Sequence, residues 1–297
     1  MKQKFVSMLS LLLLLALLLP ALTACGNSDS PEQTTDQNLE RFSEGLSYIL
    51  SQDETYYIVS GVGTCEDASI VIPETYEGKP VKGIGENAFQ DCWALTSITI
   101  PESVTSIGAR AFGYCSSLTS VNIPKSVTSI GDSTFLNCTA LASITIPENV
   151  TSIGAWAFAG CHSLTSIDIP NGVISMGESI FNKCFSLVNI NIPESVTSIG
   201  SKAFEGCSSL TSITIPNGIT NIHDGFFEAC ESLESVTLPN TITTIGLWSF
   251  DYCSKLKSIT FNGTKAQWEA IGKNNSWFDG SAIKTVICSD GEITITK

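Results

Sequence analysis

The chain has 297 residues, 29 of them acidic and 15 of them Lys or Arg, so its formal net charge is −14. This balance argues against nucleic acid and anionic membrane surfaces as partners, because both attract basic patches. The length allows one or two domains.

The first 25 residues have the pattern of a secretory signal peptide. Lys2 and Lys4 precede an apolar run from Val6 to Leu19, and small residues follow. A basic start, an apolar stretch and small residues before the cleavage site are typical of export signals. A membrane-spanning helix is the alternative, but the run is shorter than the about 20 residues that a span needs. Pro20 also fits poorly in such a helix.

Leu22-Thr23-Ala24-Cys25 resembles the lipobox of bacterial lipoproteins. The resemblance implies that Cys25 becomes the first residue of the mature chain and carries a diacylglyceryl group, often with a third acyl chain. Several acyl chains give stable anchoring, whereas one gives only reversible binding. The expected location is therefore the extracellular face of a bacterial cell membrane, with contact to the membrane through the lipid alone. Removal of residues 1–25 takes away two lysines and no acids, which leaves a charge of 13 − 29 = −16.

Two short regions separate the anchor from the main body. Residues 26–45 are mostly polar and contain almost no large apolar side chains, so they predict a disordered tether with an average span of about 25 Å. Within residues 46–67, two apolar segments flank a polar turn. This pattern predicts a β-hairpin that caps the N-terminal end of the body.

A 23-residue period organises residues 68–260. Cysteine recurs at this spacing throughout, as Cys92, Cys115, Cys138, Cys161, Cys184, Cys207, Cys230 and Cys253. A fixed period in the twenties is typical of solenoids. Each unit of a solenoid buries its apolar face against its neighbours, so the repeat predicts one elongated body.

Each regular unit begins with a predicted strand such as residues 95–100. Alternation places Ile98 and Ile100 inward and Thr99 outward, and Pro101 ends the strand because it has no backbone donor. Eight such strands, stacked about 4.8 Å apart, predict a parallel sheet nearly 40 Å long.

The second half of the unit supplies another inward pair and a turn. Val104 and Ile107 point inward, and Gly108 is expected to permit a sharp bend. Residues 109–115 predict a single helical turn with Ala111, Phe112 and Cys115 toward the core.

Three regions depart from the regular unit. Residues 68–85 form a first repeat with five inserted residues, which predict a turn at Tyr76 to Pro80. In the unit at 217–233, His223 replaces the glycine and Phe226 replaces the alanine, so a local bend is expected. Residues 261–297 lose the period and predict a C-terminal cap with a short helix and two strands.

The recurring pattern of the units resembles the BspA-type leucine-rich repeat over about residues 68–260. In one unit the matching residues are Pro101, Val104, Thr105, Ile107, Gly108, Ala111, Phe112, Cys115 and Leu118. The resemblance implies a strand-rich α/β repeat solenoid: a right-handed leucine-rich repeat with a parallel sheet, short helical turns and a cap at each end. It also implies a cell-surface role in adhesion, binding of host matrix proteins and cell aggregation.

The eleven cysteines first suggest disulfides, since the protein is predicted to be exported. Cysteines one unit apart, however, would have parallel side chains and Cβ atoms about 4.8 Å apart, beyond the usual disulfide range. The ladder therefore predicts buried thiols that act as small apolar residues. Cys65 and Cys288 lie in opposite caps and are not expected to meet.

No sequence feature indicates catalysis. His162 and His223, the two histidines of the chain, lie in different units, and His162 is expected to be a lone exposed side chain. The acidic residues are scattered and do not suggest a paired acid and base. We therefore expect neither an enzyme, nor a metal site, nor a cofactor.

The first candidate binding surface is the strand face, formed by the outward position of each strand. It carries small polar residues, and Asp168 is its one charged member among Thr99, Asn122, Thr145, Asp168, Asn191, Thr214 and Thr237. Two interpretations stay open. These residues are simply soluble and compatible with strands, or they form a broad hydrogen-bonding surface for a protein or glycoprotein.

The second candidate is the turn face, the outward side of the segments equivalent to residues 109–116. Its most variable position carries Arg110, Trp156, Lys202 and Trp248. The two tryptophans are either exposed there or packed into a neighbouring loop, and packing is the favoured alternative.

These patterns predict a lipid-anchored, monomeric surface protein that binds a host or bacterial surface protein or glycoprotein without catalysis. The alternative is a structural component of the envelope that has no soluble ligand. An enzyme located in residues 261–297 is a third, weaker hypothesis.

Overall fold

The computed structural model describes residues 42–296, so the predicted signal peptide, Cys25 and the tether up to residue 41 lie outside the described residues. The N-terminal cap begins with two antiparallel strands, β1 (Ser47–Leu50) and β2 (Tyr57–Gly61). This is the hairpin that the two apolar segments predict. Ser43, which the sequence assigns to the tether, already contacts the first repeat, because its backbone N–H donates to the Val71 carbonyl at 3.0 Å.

The first, distorted repeat contains β3 (Ser69–Val71), β4 (Thr75–Tyr76) and β5 (Lys79–Ile84). Strands β4 and β5 are antiparallel and enclose a tight turn in which Glu77 and Gly78 have positive φ. The five inserted residues thus form the expected turn. Strand β5 also pairs in parallel with β2, which joins the cap to the solenoid.

Each regular 23-residue unit forms one coil of the solenoid, and these coils contribute two columns of short parallel strands. In chain order they are β6 (Ser97–Thr99), β7 (Ser106–Ile107), β8 (Ser120–Val121), β9 (Ser129–Ile130), β10 (Ser152–Ile153), β11 (Ser166–Asp168), β12 (Ser175–Met176), β13 (Asn189–Asn191), β14 (Ser198–Ile199), β15 (Ser212–Thr214), β16 (Asn221–Ile222), β17 (Ser235–Leu238), β18 (Thr244–Ile245) and β19 (Ser258–Phe261). Each paired residue lies opposite the residue 23 positions later, as Ser166 lies opposite Asn189. The strand-rich solenoid with a 23-residue unit is therefore confirmed.

The predicted continuous sheet of eight strands is wrong in detail. The first column is divided into three hydrogen-bonded ladders: β3-β6-β8, β11-β13 and a third that starts at β15. Between the first two ladders, a single isolated bridge pairs Asn122 with Thr145. Both columns are interrupted between the coil that contains β13 and β14 and the coil that contains β15 and β16.

This second interruption lies where a local bend is expected. Phe226, which takes the place of an alanine, is fully buried between Phe204 and Phe227, with ring centroids 5.6 Å and 4.8 Å away. A second ring in this layer needs more room than one methyl group, because protein interiors are close-packed. In this layer the coil thus buries two phenylalanine rings, Phe226 and Phe227.

Phenylalanine rings form the central column of the core. From Phe89 to Phe250, the rings at the repeated position are fully buried and stack on one another, with centroids 5.3 to 5.7 Å apart. Buried Ile, Leu and Val side chains from both strand columns surround them. Because each ring covers the next, every coil depends on its neighbours for burial.

The segment 109–115 is not a helical turn but a series of tight turns. The backbone N–H groups of Ala111 and Gly113 donate to carbonyls three residues earlier, whereas those of Arg110, Phe112 and Tyr114 donate to the next coil. Positive φ values at Arg110 and Tyr114 accompany this alternation. The prediction fails because carbonyl groups of the next coil compete successfully for N–H groups that a helix would use internally.

Gly108 also has a different role from the expected one. Its φ is not positive, so a bend that requires glycine is not the reason for its presence. A Cβ atom at this position would lie 2.5 Å from the backbone nitrogen of Glu86 in the preceding coil. Glycine is therefore needed because two backbones approach each other closely.

The C-terminal cap contains α1 (Lys265–Ala270), β20 (Gly272–Lys273), β21 (Thr285–Cys288) and β22 (Gly291–Thr294). Strand β21 continues the first column and β20 the second, while β22 is antiparallel to β21. Trp277 extends the ring column, 5.7 Å from Phe250. Within residues 42–296, no helix has the length and apolar character needed to cross a bilayer.

Candidate binding surfaces

The strand face is formed as the sequence predicts. The outward residues line up by parallel pairing, as in the pairs Asn122–Thr145, Asp168–Asn191 and Thr214–Thr237. All seven candidates except the half-buried Thr237 are exposed. The structure thus brings Thr99, Asn122, Thr145, Asp168, Asn191, Thr214 and Thr237 onto one surface.

Hydroxyl groups beside this column have a structural role. Thr96, Thr119 and Thr211, three residues before the outward position, donate their hydroxyls to backbone carbonyls of the preceding coil. Thr105, Thr151, Thr197 and Thr243 do the same beside the second strand column. Much of the Ser and Thr content is therefore explained by bonding between coils.

The turn face has an unusual backbone. Its most variable position has positive φ in every regular coil, with values of 53° for Arg110, 59° for Trp156, 55° for Lys202 and 55° for Trp248. The hydrogen bonds from this position to the next coil impose the conformation, as in the bond from the Trp156 N–H to the Glu178 carbonyl. The structure therefore places the four predicted residues in one column along the turn face.

The favoured prediction that the tryptophans pack into neighbouring loops is wrong. Trp156 and Trp248 are 40% and 45% exposed. The adjacent coils carry small residues such as Ser179 and Gly225 at this position. With no large neighbour in the same column, the rings stay accessible.

Sequence reasoning missed four further exposed aromatic residues on the turn face. Tyr114 and Tyr252 lie one residue before a ladder cysteine, and Trp93 and Phe185 lie one residue after it. They could have been identified by comparing the units, because each is an aromatic residue at a position that varies between units. The turn face therefore displays six exposed aromatic side chains.

Four of these aromatic residues occupy strained positions. Trp156, Trp248, Tyr114 and Tyr252 have φ between 54° and 63°, and a side chain in this region costs about 1–2 kcal/mol relative to glycine. Glycine occupies equivalent positions in other coils, at Gly160, Gly206 and Gly225. The same conformation recurs at Ser133, Ser179 and Lys202, so the stacking of the coils imposes it whatever the side chain.

Lys202 is not a free positive charge on this face. Its ammonium nitrogen lies 3.3 Å from a Glu205 carboxylate oxygen, close enough for an ion pair, although that oxygen has no well-aligned hydrogen bond. Burial, followed by the nearby Glu205 charge, raises the pKa of Glu228 in the next coil. Carboxylates in adjacent coils thus repel one another, and Lys202 partly offsets their charge.

The seven ladder cysteines from Cys115 to Cys253 do not contribute to a reactive site. From Cys115 to Cys253 they are fully buried, and burial raises the pKa of Cys138, Cys184 and Cys253 to about 12. Such thiols are almost entirely protonated at neutral pH and react poorly.

His162 differs from the expected lone exposed side chain. It is half-buried, and its ring stacks on Phe185 of the next coil with a centroid distance of 4.7 Å. Across residues 42–296, no group of three or more His, Cys, Asp or Glu side chains is arranged to hold a metal ion.

Comparison with known proteins agrees with this architecture. Residues 82–201 and 174–297 match a family model described as "BspA type Leucine rich repeat region", in six copies. A leucine-rich repeat protein from Bacteroides ovatus is 31% identical, with coverage of 84% of this chain and 71% of that chain and a TM-score of 0.72. A leucine-rich repeat protein from T. pallidum is also 31% identical, with coverage of 71% and 88% and a TM-score of 0.53.

A third solved structure comes from Faecalibacterium prausnitzii and is described as a leucine rich cell surface protein. It is 23% identical, with coverage of 79% of this chain and 98% of that chain and a TM-score of 0.37. Comparison with curated protein sequences gives no match.

Proposed function

Because the chain belongs to the BspA-type leucine-rich repeat family, whose members are generally protein-binding scaffolds, we propose that it is a non-catalytic, adhesion-type binding protein. Its site of action is the bacterial cell surface, where lipid on Cys25 attaches it to the membrane. The alternative is a structural envelope component without a soluble ligand.

The observation that carries this proposal is the set of exposed aromatic residues on the turn face. Trp and Tyr are enriched among the residues that dominate protein–protein binding energy, because they bury a large area with few rotatable bonds. Trp156 and Trp248 lie four coils apart, which corresponds to about 19 Å at the usual strand spacing. This separation suits an extended contact with one macromolecule.

The strand face supports the same function less strongly. It is accessible and regular, but its candidate residues include no aromatic side chain, and the neighbouring hydroxyls bond to the protein itself. A partner that used this surface would bind through hydrogen bonds to small polar groups. We therefore place the strand face second and the turn face first.

The partner is proposed to be a host or bacterial surface protein or glycoprotein that binds one copy of the chain. Nucleic acid fits poorly with a net charge of −14. The proposed anchor rests on the Leu22-Thr23-Ala24-Cys25 pattern, which lies outside the described residues.

A pull-down with three forms of the purified protein tests the proposal. The baits are the native chain, a turn-face variant (Trp156→Asn with Trp248→Asn) and a strand-face variant (Thr145→Lys, Asp168→Lys and Asn191→Lys). Asparagine is chosen because it tolerates positive φ. The prey are host matrix proteins, mucins and bacterial surface extract, and thermal melts verify that all baits are folded.

We expect the native and strand-face baits to capture the same partner and the turn-face bait to lose it. Loss of capture by the strand-face bait alone would move the site to the strand face. If no bait captures any prey, the structural envelope component becomes the better explanation.

A further inference from the structure

Two cysteines at the N-terminal end, Cys65 and Cys92, differ from the seven ladder cysteines that follow them. Cys65 and Cys92 are half-buried, whereas the seven ladder cysteines from Cys115 to Cys253 are completely buried. Each of those seven donates its thiol to a phenylalanine carbonyl of the preceding coil, at 3.1 to 3.3 Å. Cys92 has no such partner, and its sulfur lies 3.9 Å from the carbonyl of Gln90 in its own coil.

The strand register brings Cys65 and Cys92 to the same corner of two adjacent coils. The Ala68 carbonyl accepts a hydrogen bond from the Thr96 N–H at 2.7 Å, and Ile70 pairs with Ile98. Cys65 lies three residues before Ala68, and Cys92 lies four residues before Thr96. The two chain segments therefore approach this corner side by side.

Both cysteines line one cavity of about 180 Å³. Apolar residues of the cap and of the first regular coil, such as Val62 and Leu95, complete its walls together with the acidic Glu66, Asp67 and Asp91. Burial, followed by the charges of Asp91 and Cys65, raises the pKa of Cys92.

We propose that Cys65 and Cys92 form a disulfide that ties the N-terminal cap to the first regular coil under oxidising conditions. The spacing argument against disulfides along the ladder does not apply to this pair. Cys65 belongs to an irregular segment 27 residues before Cys92 rather than 23, so its side chain is not constrained to run parallel to that of Cys92.

The reaction requires an oxidant, which we take to be a small disulfide such as oxidised glutathione. The thiolate of one cysteine attacks this disulfide, forms a mixed disulfide and releases one glutathione thiolate. The second cysteine then displaces the other glutathione. The two protein thiols give up two electrons and two protons, and both are recovered in two molecules of reduced glutathione.

The cross-link would close a loop that contains the inserted turn between β4 and β5. Closing a loop lowers the entropy of the unfolded chain and so favours the folded state. Terminal units of solenoids have only one neighbour to pack against, so a cross-link here acts where packing alone stabilises least. Seven fully buried thiols would remain reduced because an oxidant does not reach them.

Peptide mapping tests the proposal directly. The purified full-length protein is incubated in its native state with oxidised glutathione, alkylated, denatured and digested with trypsin. Cleavage after Arg41, Lys82 and Arg110 gives peptides 42–82 and 83–110, which contain Cys65 and Cys92 as their single cysteines. We expect a linked pair of these peptides that separates on reduction, together with a higher unfolding temperature of the oxidised protein.

Variants separate this outcome from general oxidation. Cys65→Ser and Cys92→Ser should each abolish both the linked peptide and the rise in unfolding temperature, whereas Cys288→Ser, in the opposite cap, should retain both. The wild-type map alone decides the matter if a variant fails to fold. Recovery of the two peptides as separate glutathione adducts or alkylated thiols, or cross-linked to other cysteines, would overturn the proposal.

Discussion

The thiol of Cys161 donates a hydrogen bond to the backbone carbonyl of Phe135, 3.3 Å away and 26 residues earlier in the chain. The same carbonyl accepts the N–H of Cys138 at 3.2 Å. One phenylalanine carbonyl thus joins a turn within its own coil to the cysteine of the next coil. Cysteine suits the position because it is small, largely apolar and still able to donate a proton.

This burial predicts a loss of stability at alkaline pH. The pKa of Cys184 is raised to about 12 by burial, and burial raises the pKa of Cys161 as well. Above the unfolded thiol pKa of about 8.5, the unfolded state loses protons that the folded state retains, so unfolding becomes more favourable. The stabilising effect is complete below that pH and is lost as pH rises toward 12.

We expect each buried thiol to contribute about 1.4 kcal/mol of destabilisation per pH unit in this range. Thermal melts between about pH 7 and about pH 10.5 measure the effect. Cys161→Ala removes one titrating group and should make the loss less steep. An unfolding temperature that stays constant across this range would contradict the prediction.

Leu164→Ala should destabilise the protein by roughly 2–5 kcal/mol, because Leu164 is completely buried and its truncation leaves a cavity. Chemical denaturation of the two forms measures the difference. Thr165→Ala is the matched control, since Thr165 is the exposed neighbour and should change stability little. Equal effects of the two substitutions would show that Leu164 does not support the core.

Gly108→Ala should destabilise the fold by roughly 1–3 kcal/mol, the range typical of overpacking. The added Cβ would lie 2.5 Å from the nitrogen of Glu86 in the preceding coil, and backbone atoms cannot give way easily. Gly113→Ala provides the control, because its Cβ would come no closer than 3.4 Å to another atom. A Gly108→Ala protein as stable as the Gly113→Ala protein would show that the coils separate without cost.

Cys25→Ser should release the protein from the membrane fraction, because serine cannot carry the thioether-linked lipid that the predicted lipobox implies. Fractionation of cells that express each form, followed by immunoblotting, gives the measurement. A full-length variant that stays in the membrane fraction would instead indicate that the apolar run at Val6 to Leu19 spans the bilayer.

Much of the fold follows from the sequence because the same pattern of apolar and polar residues recurs in every unit. Inward Ile98 and Phe112, outward Thr99 and the column of cysteines are all placed correctly, since alternation in strands and burial in stacked units follow simple periodicities. The turns at residues 109–115 were predicted less well. Their backbone N–H groups can donate to carbonyls of the same coil or of the next coil, and the local sequence does not show that carbonyls of the next coil are available.

The two candidate surfaces show the same division. The strand face could be located from alternation alone, so all of its residues were found. Trp156 has a positive φ that the next coil imposes, and small residues in the adjacent coils leave its ring accessible, whereas sequence propensity argues against such a conformation for tryptophan. The preference for buried tryptophans was therefore wrong, and Tyr114 and Tyr252 were missed for the same reason.

The sequence by itself determined the solenoid, its 23-residue unit, the composition of its core and the departure at Phe226, because these depend on spacing and on side-chain size. Only the tertiary structure decided how the turns bond, why Gly108 is glycine, which aromatic side chains reach solvent and which cysteines share a cavity. Each of those features arises from contact between neighbouring coils, whose contacting residues are 22 or more positions apart. The sequence of a single unit does not show how closely the neighbouring units approach it.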